Sequence, residues 1–339
     1  MGEEELKKTI NELTARGKGI LAADESVSTA TKRLESINTK STEETRRQYR
    51  NMILTAPDIE KYISGVILFE ETLNQSTDSG HLFPEFLKKL GVVPGIKVDG
   101  GLAELNDKGE KYTKGLEELD FKLKEFKKHG ARFTKWRAVY SISDNTPSNE
   151  AIKENAKDLA KYAKTCHDND MIPIVEPEVL LDGTHSIEKS YEVTLAVQKA
   201  VFEELKNEKV DLRYIILKPS MVISGKDNDN RAEVDKVAEM TIKCLRETVP
   251  HEVPSINFLS GGQTSKEAIS HLNRMNQMND DLPWNVSFSY ARAMQGPALK
   301  VWQGKKENLK DAQEKFIERA KYCSEASQGT YMPGADFED

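Results

Sequence analysis

Short apolar, β-branched runs recur along the chain, each bounded by Gly, Pro or polar residues and separated by charged amphipathic stretches. Eight of them read as strands, at 19–26, 63–70, 93–99, 133–140, 172–179, 214–221, 256–262 and 284–290. The segment 148–169 has a serine start signal, repeating Ala and Leu positions and charges on its other face; 186–208 and 231–248 follow the same pattern. Segment 265–276 is a weaker version, and 306–328 is a last charged amphipathic helix. Strand and helix alternate with no hairpin signal, which predicts parallel β/α units. An open doubly wound sheet would carry a glycine-rich dinucleotide loop after its first strand. That place reads Asp24-Glu25-Ser26-Val27-Ser28 instead. The pattern predicts an α/β fold, a TIM (β/α)8 barrel. It would form one domain over residues 1–339, with a short amino-terminal helix and a loose polar tail over about 330–339.

Charge and cysteine content narrow the setting. A formal net charge of −7 disfavours a nucleic-acid partner, whose phosphates call for a basic surface. Cys166, Cys244 and Cys323 are widely spaced and form no C-x-x-C, which fits a reducing compartment. The charged amino-terminal segment has no apolar signal core, and no run approaches the roughly 20 apolar residues of a membrane span. A cytoplasmic protein with no membrane partner is expected.

In a β/α barrel the chemistry sits at the carboxyl ends of the strands. Taken in order, the candidate ends carry Asp24, Lys97, Lys135 with Arg137, Glu176 with Glu178, and Lys218. Ser260-Gly261-Gly262 ends the seventh, and Ser289 with Arg292 follows the eighth. A buried charge costs several kcal/mol unless it is paired or neutralised. One such residue could be a structural ion pair, but five strands contributing one each at the same end point to a polar active site. Lysines crowded into an apolar mouth disfavour one another's charge, and a neutral amine can attack a carbonyl. Lys218, in the apolar run Ile215-Ile216-Leu217-Lys218-Pro219, is the best candidate. An imine there would act as an electron sink, and the reaction would also need an acid/base. Glu176 is placed first for that role. Glu178 shares its face by strand alternation and is an alternative, or a partner for one of the lysines.

Phosphate sites are the second signal. Ser260-Gly261-Gly262-Gln263-Thr264 ends a strand and opens a helix, where backbone N–H groups and the helix dipole favour an anion. Barrels recurrently hold a phosphate after strands seven and eight, and Arg292 adds a fork for its oxygens. Lys32-Arg33 after the first strand is either a second phosphate site or an exposed helix face.

At these residues the sequence resembles the class I (Schiff-base) fructose-1,6-bisphosphate aldolase family. The matching stretches are GKGILAADES at 17–26, KRL at 32–34, GIKVD at 95–99, FTKWRAV at 133–139 and PIVEPEVLLDG at 173–183. LKPSMV at 217–222, FLSGGQ at 258–263, FSYARA at 288–293 and GKKENLKDAQ at 304–313 continue them in family order. The resemblance implies a glycolytic and gluconeogenic lyase without metal or cofactor, typically a cytosolic homotetramer. It implies a Schiff base between Lys218 and the C2 ketone, with Glu176 as general acid/base. Asp24 and Lys135 would assist proton transfer and Glu178 would support them, with Lys97 near the sugar hydroxyls and the 6-phosphate. The 1-phosphate would rest on Ser260, Gly261, Gly262, Ser289 and Arg292, and the 6-phosphate on Ser26, Thr29 and Arg33. Three places depart from the family pattern. Ala291 stands where Gly is common, and would be strained if the site requires a positive φ. The first loop carries Ser28 and Thr29 where the family has Gly and Ser. The chain ends in Asp336-Phe337-Glu338-Asp339 rather than tyrosine, which leaves Tyr331 as a stand-in for that tyrosine.

Rival readings are weaker. The six histidines show no H-x-H or H-x-x-x-H spacing for a metal-dependent aldolase, and Asp227-Asn228-Asp229-Asn230 lacks the glycine of a calcium loop. A transaldolase-like Schiff-base barrel would need only one phosphate cluster. A non-catalytic binding scaffold with protein partners would not need the lysine–glutamate set.

Overall fold

A computed structural model describes residues 2–278, 281–332 and 334. Ten strands form in chain order: β1 Gly19–Ala23, β2 Ile63–Leu68, β3 Val93–Lys97, β4 Leu102–Glu104, β5 Lys111–Thr113, β6 Phe133–Tyr140, β7 Ile172–Val179, β8 Ile216–Leu217, β9 Ser255–Phe258 and β10 Asn285–Phe288. Eight make one sheet in the order β1-β2-β3-β6-β7-β8-β9-β10, and every pairing in it is parallel. The sheet comes round to its own start: the Ala22 N–H in β1 donates to the Tyr290 carbonyl just past β10 at 3.0 Å. All eight predicted strands therefore exist in the TIM-barrel architecture; β6 and β7 match their predicted bounds and the other six are shorter.

Two apolar layers hold the barrel. Inside it, Ile20, Ile67, Phe133, Ile172, Ile174 and Ile216 pack with Leu6, Ile10 and Leu13 of the amino-terminal helix Gly2–Leu13. That helix plugs one end and leaves the carboxyl ends of the strands open to the site. Phe133 sets the packing there: a Cβ on Gly95 would lie 2.4 Å from its ring, and one on Gly65 3.1 Å. Outside the barrel, the other face of each strand packs on the helices. The predicted serine starts are real caps: Ser148 Oγ accepts from the Ala151 N–H and Ser186 Oγ from the Lys189 N–H, each at 3.2 Å. These caps begin Asn149–Asp168 and Ile187–Asn207.

Two expectations need correction. Strands β4 and β5 form an antiparallel hairpin after β3, around a turn with Gly109 at φ +76°. Its alternating Leu102-Ala103-Glu104 and Lys111-Tyr112-Thr113 are only three residues each, too short to stand out from a loop. Tyr331, placed in the loose tail, is 4 % exposed; Asn273 bonds both its carbonyl (3.0 Å) and its N–H (3.1 Å). The terminal Asp336-Phe337-Glu338-Asp339 lies outside the described residues. No helix among the described residues is long and apolar enough to cross a membrane.

Candidate active site

A cleft of about 720 Å³ opens at the carboxyl ends of the strands. It gathers every residue expected above to bind substrate or to act on it, apart from Tyr331: Asp24, Ser26, Thr29 and Arg33 after β1, Lys97 from β3, and Lys135 from β6. Glu176 and Glu178 come from β7 and Lys218 follows β8. Ser260, Gly261 and Gly262 follow β9; Ser289 and Arg292 follow β10. Residues nearly 270 positions apart meet because a closed barrel brings all its strand ends to one rim.

At the centre is a buried ionic cluster. Lys135 Nζ lies 2.7 Å from Asp24 Oδ2, 3.4 Å from Glu176 Oε2 and 3.8 Å from Asp99 Oδ2. Glu176 turns its other oxygen to Lys218, with Oε1 3.3 Å from Nζ. Glu176 therefore stands between two lysines, as β7 stands between β6 and β8. Burial opposes the Lys135 charge, but Asp24, Glu176 and Asp99 outweigh it and hold its pKa above the ordinary lysine value. Burial opposes the Asp24 charge too; Lys135, Lys218 and Lys97 overcome it and hold that carboxyl below its usual range. Lysine crowding is thus only part of the picture: carboxylates are interleaved, and Lys135 has more of them than Lys218.

Glu178 pairs with Arg137 rather than with a lysine. Burial, together with the nearby Glu176 charge, keeps its carboxyl above the ordinary value despite Arg137. Lys97 pairs with Asp99, 2.6 Å to Oδ1, and donates to the Asp99 carbonyl at 2.9 Å.

Two ends of the cleft suit anions. After β9, Gly261 (φ +55°) and Gly262 (φ +93°) take left-handed conformations that bring the backbone to the cleft. A Cβ on Gly262 would lie 3.6 Å from Arg292 Nη2, so the guanidinium reaches the loop. Ser289 Oγ is buried beside it with no hydrogen-bond partner among the described residues. Ala291 has φ −111°, so the feared left-handed strain is absent. At the other end, Ser26 caps the helix Val27–Glu35, and its Oγ meets Ser28 Oγ at 3.0 Å and Thr29 Oγ1 at 3.1 Å. Arg33 is not on an exposed helix face: its Nη1 is engaged by Glu25, Tyr49 and Gln295.

Several contributors escaped the sequence reading. Asp99 is the third carboxylate at Lys135; Arg137 is among the strand-end charges, but its pairing with Glu178 is not foreseen there. Glu25 is buried between Arg33 and Arg50, which seats the first loop. The only advance signal was charge within or beside an apolar run. Arg50 lacks even that, since 43–54 reads as an ordinary charged helix. Tyr331 packs against Tyr322, away from the cleft residues, and does not replace a terminal tyrosine there.

The family model for class-I fructose-bisphosphate aldolase, a glycolytic enzyme, matches residues 5–338. The chain belongs to the class I fructose-bisphosphate aldolase family. It is 48 % identical over 333 residues to a probable class 1 fructose-bisphosphate aldolase of Xylella fastidiosa, covering 98 % of this chain and 99 % of that one. It is 51 % identical over 330 residues to a chloroplastic aldolase of Chlamydomonas reinhardtii, covering 97 % and 87 %. A solved Plasmodium falciparum aldolase, described as a complex with TRAP and a small-molecule inhibitor, superposes with a TM-score of 0.96 at 43 % identity. That match covers 98 % of this chain and 96 % of that one. The chain is thus an aldolase, a lyase of glycolysis that reversibly cleaves fructose 1,6-bisphosphate to dihydroxyacetone phosphate and glyceraldehyde 3-phosphate.

Proposed function

We propose that Lys218 carries the Schiff base and that Glu176 moves the protons around it. The observation that carries this reading is the buried contact of 3.3 Å between Lys218 Nζ and Glu176 Oε1. Free-base Nζ adds to the C2 ketone of the open-chain sugar, giving a carbinolamine. A proton from Glu176 lets its hydroxyl leave as water, giving a protonated imine. A base then takes the C4 hydroxyl proton, the C3–C4 bond breaks, and its electron pair moves onto the imine as an enamine. Glyceraldehyde 3-phosphate departs. A proton returns to C3, and water releases dihydroxyacetone phosphate and Lys218.

Lys135, held cationic by its carboxylates, orients Asp24 and Glu176 toward the C3 and C4 hydroxyls. Glu178, steadied by Arg137, supports Glu176. Lys97 meets the hydroxyls toward the 6-phosphate. The 1-phosphate rests on Ser260, Gly261, Gly262, Ser289 and Arg292, and the 6-phosphate on Ser26, Thr29 and the Arg33 side. The paired anion sites favour a bisphosphate over the single-phosphate sugars of a transaldolase-like enzyme. The reading includes one domain, a homotetramer and a cytoplasmic location, as is typical of the family.

Borohydride reduction in the presence of dihydroxyacetone phosphate, followed by peptide mass mapping, tests it. A stable adduct on Lys218 is expected. No adduct, or one on Lys97 or Lys135, would overturn the assignment.

A further inference from the structure

The loop after β9 and the segment after β8 are joined below the cleft by a buried amide. Gln263 is 5 % exposed, and its Oε1 meets His271 Nδ1 at 2.7 Å. Its Nε2 donates to Met221 Sδ at 3.6 Å, three residues past Lys218. A backbone bond runs parallel to it, from the Leu259 N–H to the Pro219 carbonyl at 3.1 Å. His271 and Met221 are themselves buried, and His271 sits on the helix Ser265–Met278 that the loop opens. Thr264 and Glu267 fix the start of that helix by exchanging backbone N–H bonds, 2.9 Å and 3.2 Å.

Gly261 and Gly262 have the conformational freedom that a phosphate cradle requires, but freedom does not set a position. The Gln263 N–H bonds back to the Ser260 carbonyl at 2.9 Å, so the side chain of Gln263 is anchored where the turn closes. Its two amide contacts refer that turn to the helix on one side and to the Lys218 segment on the other. A phosphate held by the loop is thereby placed at a set distance from the attacking nitrogen. Placement of this kind acts on the reacting geometry, where small displacements are costly.

We infer that Gln263, held by His271, is a positioning residue that fixes the phosphate loop relative to Lys218, so that binding of the substrate phosphate is coupled to imine formation. The inference rests on the placement of a phosphate at Ser260–Gly262 proposed above. Gln263 touches neither substrate nor reacting atoms. The Gln263→Met side chain fills similar space and loses the amide bonds; His271→Leu leaves Gln263 in place and removes its anchor.

The test compares borohydride trapping of dihydroxyacetone phosphate with trapping of dihydroxyacetone, which has no phosphate, in wild type and both variants, with melting curves run alongside. The wild type should trap the phosphorylated ketone far better. Each variant should lose about five- to tenfold with the phosphorylated ketone, the scale of one or two neutral hydrogen bonds, and trap dihydroxyacetone as the wild type does. His271→Gln, which keeps a hydrogen-bonding side chain, should restore part of the loss. Equal losses on both ketones would show a general structural role and overturn the inference, as would no loss on either. A wild type that traps both ketones alike would instead refute the phosphate assignment. Should one variant fail to fold, the other carries the same comparison.

Discussion

Lys135 and Lys218 flank Glu176 at nearly equal distances, 3.4 and 3.3 Å, and both side chains are almost wholly buried at 5 % and 4 % exposure. Their surroundings differ. Lys135 has three carboxylates within 4 Å, Asp24, Glu176 and Asp99, whereas Glu176 is the one carboxylate paired with Lys218 among the described residues. On the proposed reading, the same side chain serves as a fixed cation at one position and as the nucleophile two strands away. The three carboxylates hold the Lys135 ammonium, and that reading assigns the nucleophile to the lysine with fewer of them.

The largest effect expected from that difference is on chemistry. Lys218→Met should abolish trapping and lower cleavage by at least about 10⁴-fold. It should cost little stability, within about 1 kcal/mol, because Glu176 keeps Lys135 as a partner. Steady-state rates and urea unfolding check both halves. Glu176→Gln, in the position between the two lysines, should lower kcat by about 10²- to 10⁴-fold, the usual scale for a lost acid/base. An unchanged kcat would break the link between the sides.

Lys135→Met should show the converse emphasis. Removing the cation takes from Asp24 its ion-pair partner and leaves Glu176 and Asp99 with one lysine each, Lys218 and Lys97, and unfolding free energy should fall by about 3–5 kcal/mol. Equal stability losses in the Lys135 and Lys218 variants would remove the distinction.

Acid titration separates the two sides further. His271, on the phosphate-loop side, is pushed down to about 4 by burial, with Glu267 opposing the shift and Arg231 aiding it. Its unfolded value near 6.5 is higher, so the unfolded chain binds the proton first. Its contribution, roughly 3 kcal/mol, is present above pH 6.5 and fades as pH falls toward 4. His271→Gln should flatten that step in pH-resolved unfolding.

On the Lys135 side the folded Asp24 carboxyl lies below its unfolded value of 3.8, so its contribution is present above that value and lost only as pH falls below it. Lys135 behaves oppositely. Its folded pKa is raised, so its contribution is intact below 10.5 and declines as pH rises above that value. Lys135→Met should remove the acid step of Asp24 together with this alkaline one.

Much of this arrangement was legible in the sequence, for a definite reason. A charged residue at the end of an apolar strand is conspicuous, and a barrel brings those ends together, so Asp24, Lys135, Glu176 and Lys218 could be named before their contacts were known. The partner count was not legible. Asp99 sits two residues past Lys97 in an irregular stretch, and it counts only because β3 pairs with β6 and sets Lys97 opposite Lys135. Glu25 and Arg50 are 25 positions apart on different elements, and no periodicity joins them. The strand leading to Lys218 was read as eight residues. It is two, since a short helical turn Leu212–Tyr214 takes its start and pairing stops at the far end where Pro219 has no N–H to give. The Gln263–His271 contact is hidden because Gln263 reads as part of the phosphate loop and His271 as part of the amphipathic segment 265–276.

The most direct test of the comparison labels both lysines in the same tube. Native protein is treated with a small amine-reactive acylating reagent over a pH series, and the Lys135 and Lys218 peptides are quantified from one digest. Their near-equal burial makes each the access control for the other. Selective labelling of Lys218, with Lys135 unreactive below about pH 10.5, is the predicted result. Equal labelling, or labelling of Lys135 first, would contradict it.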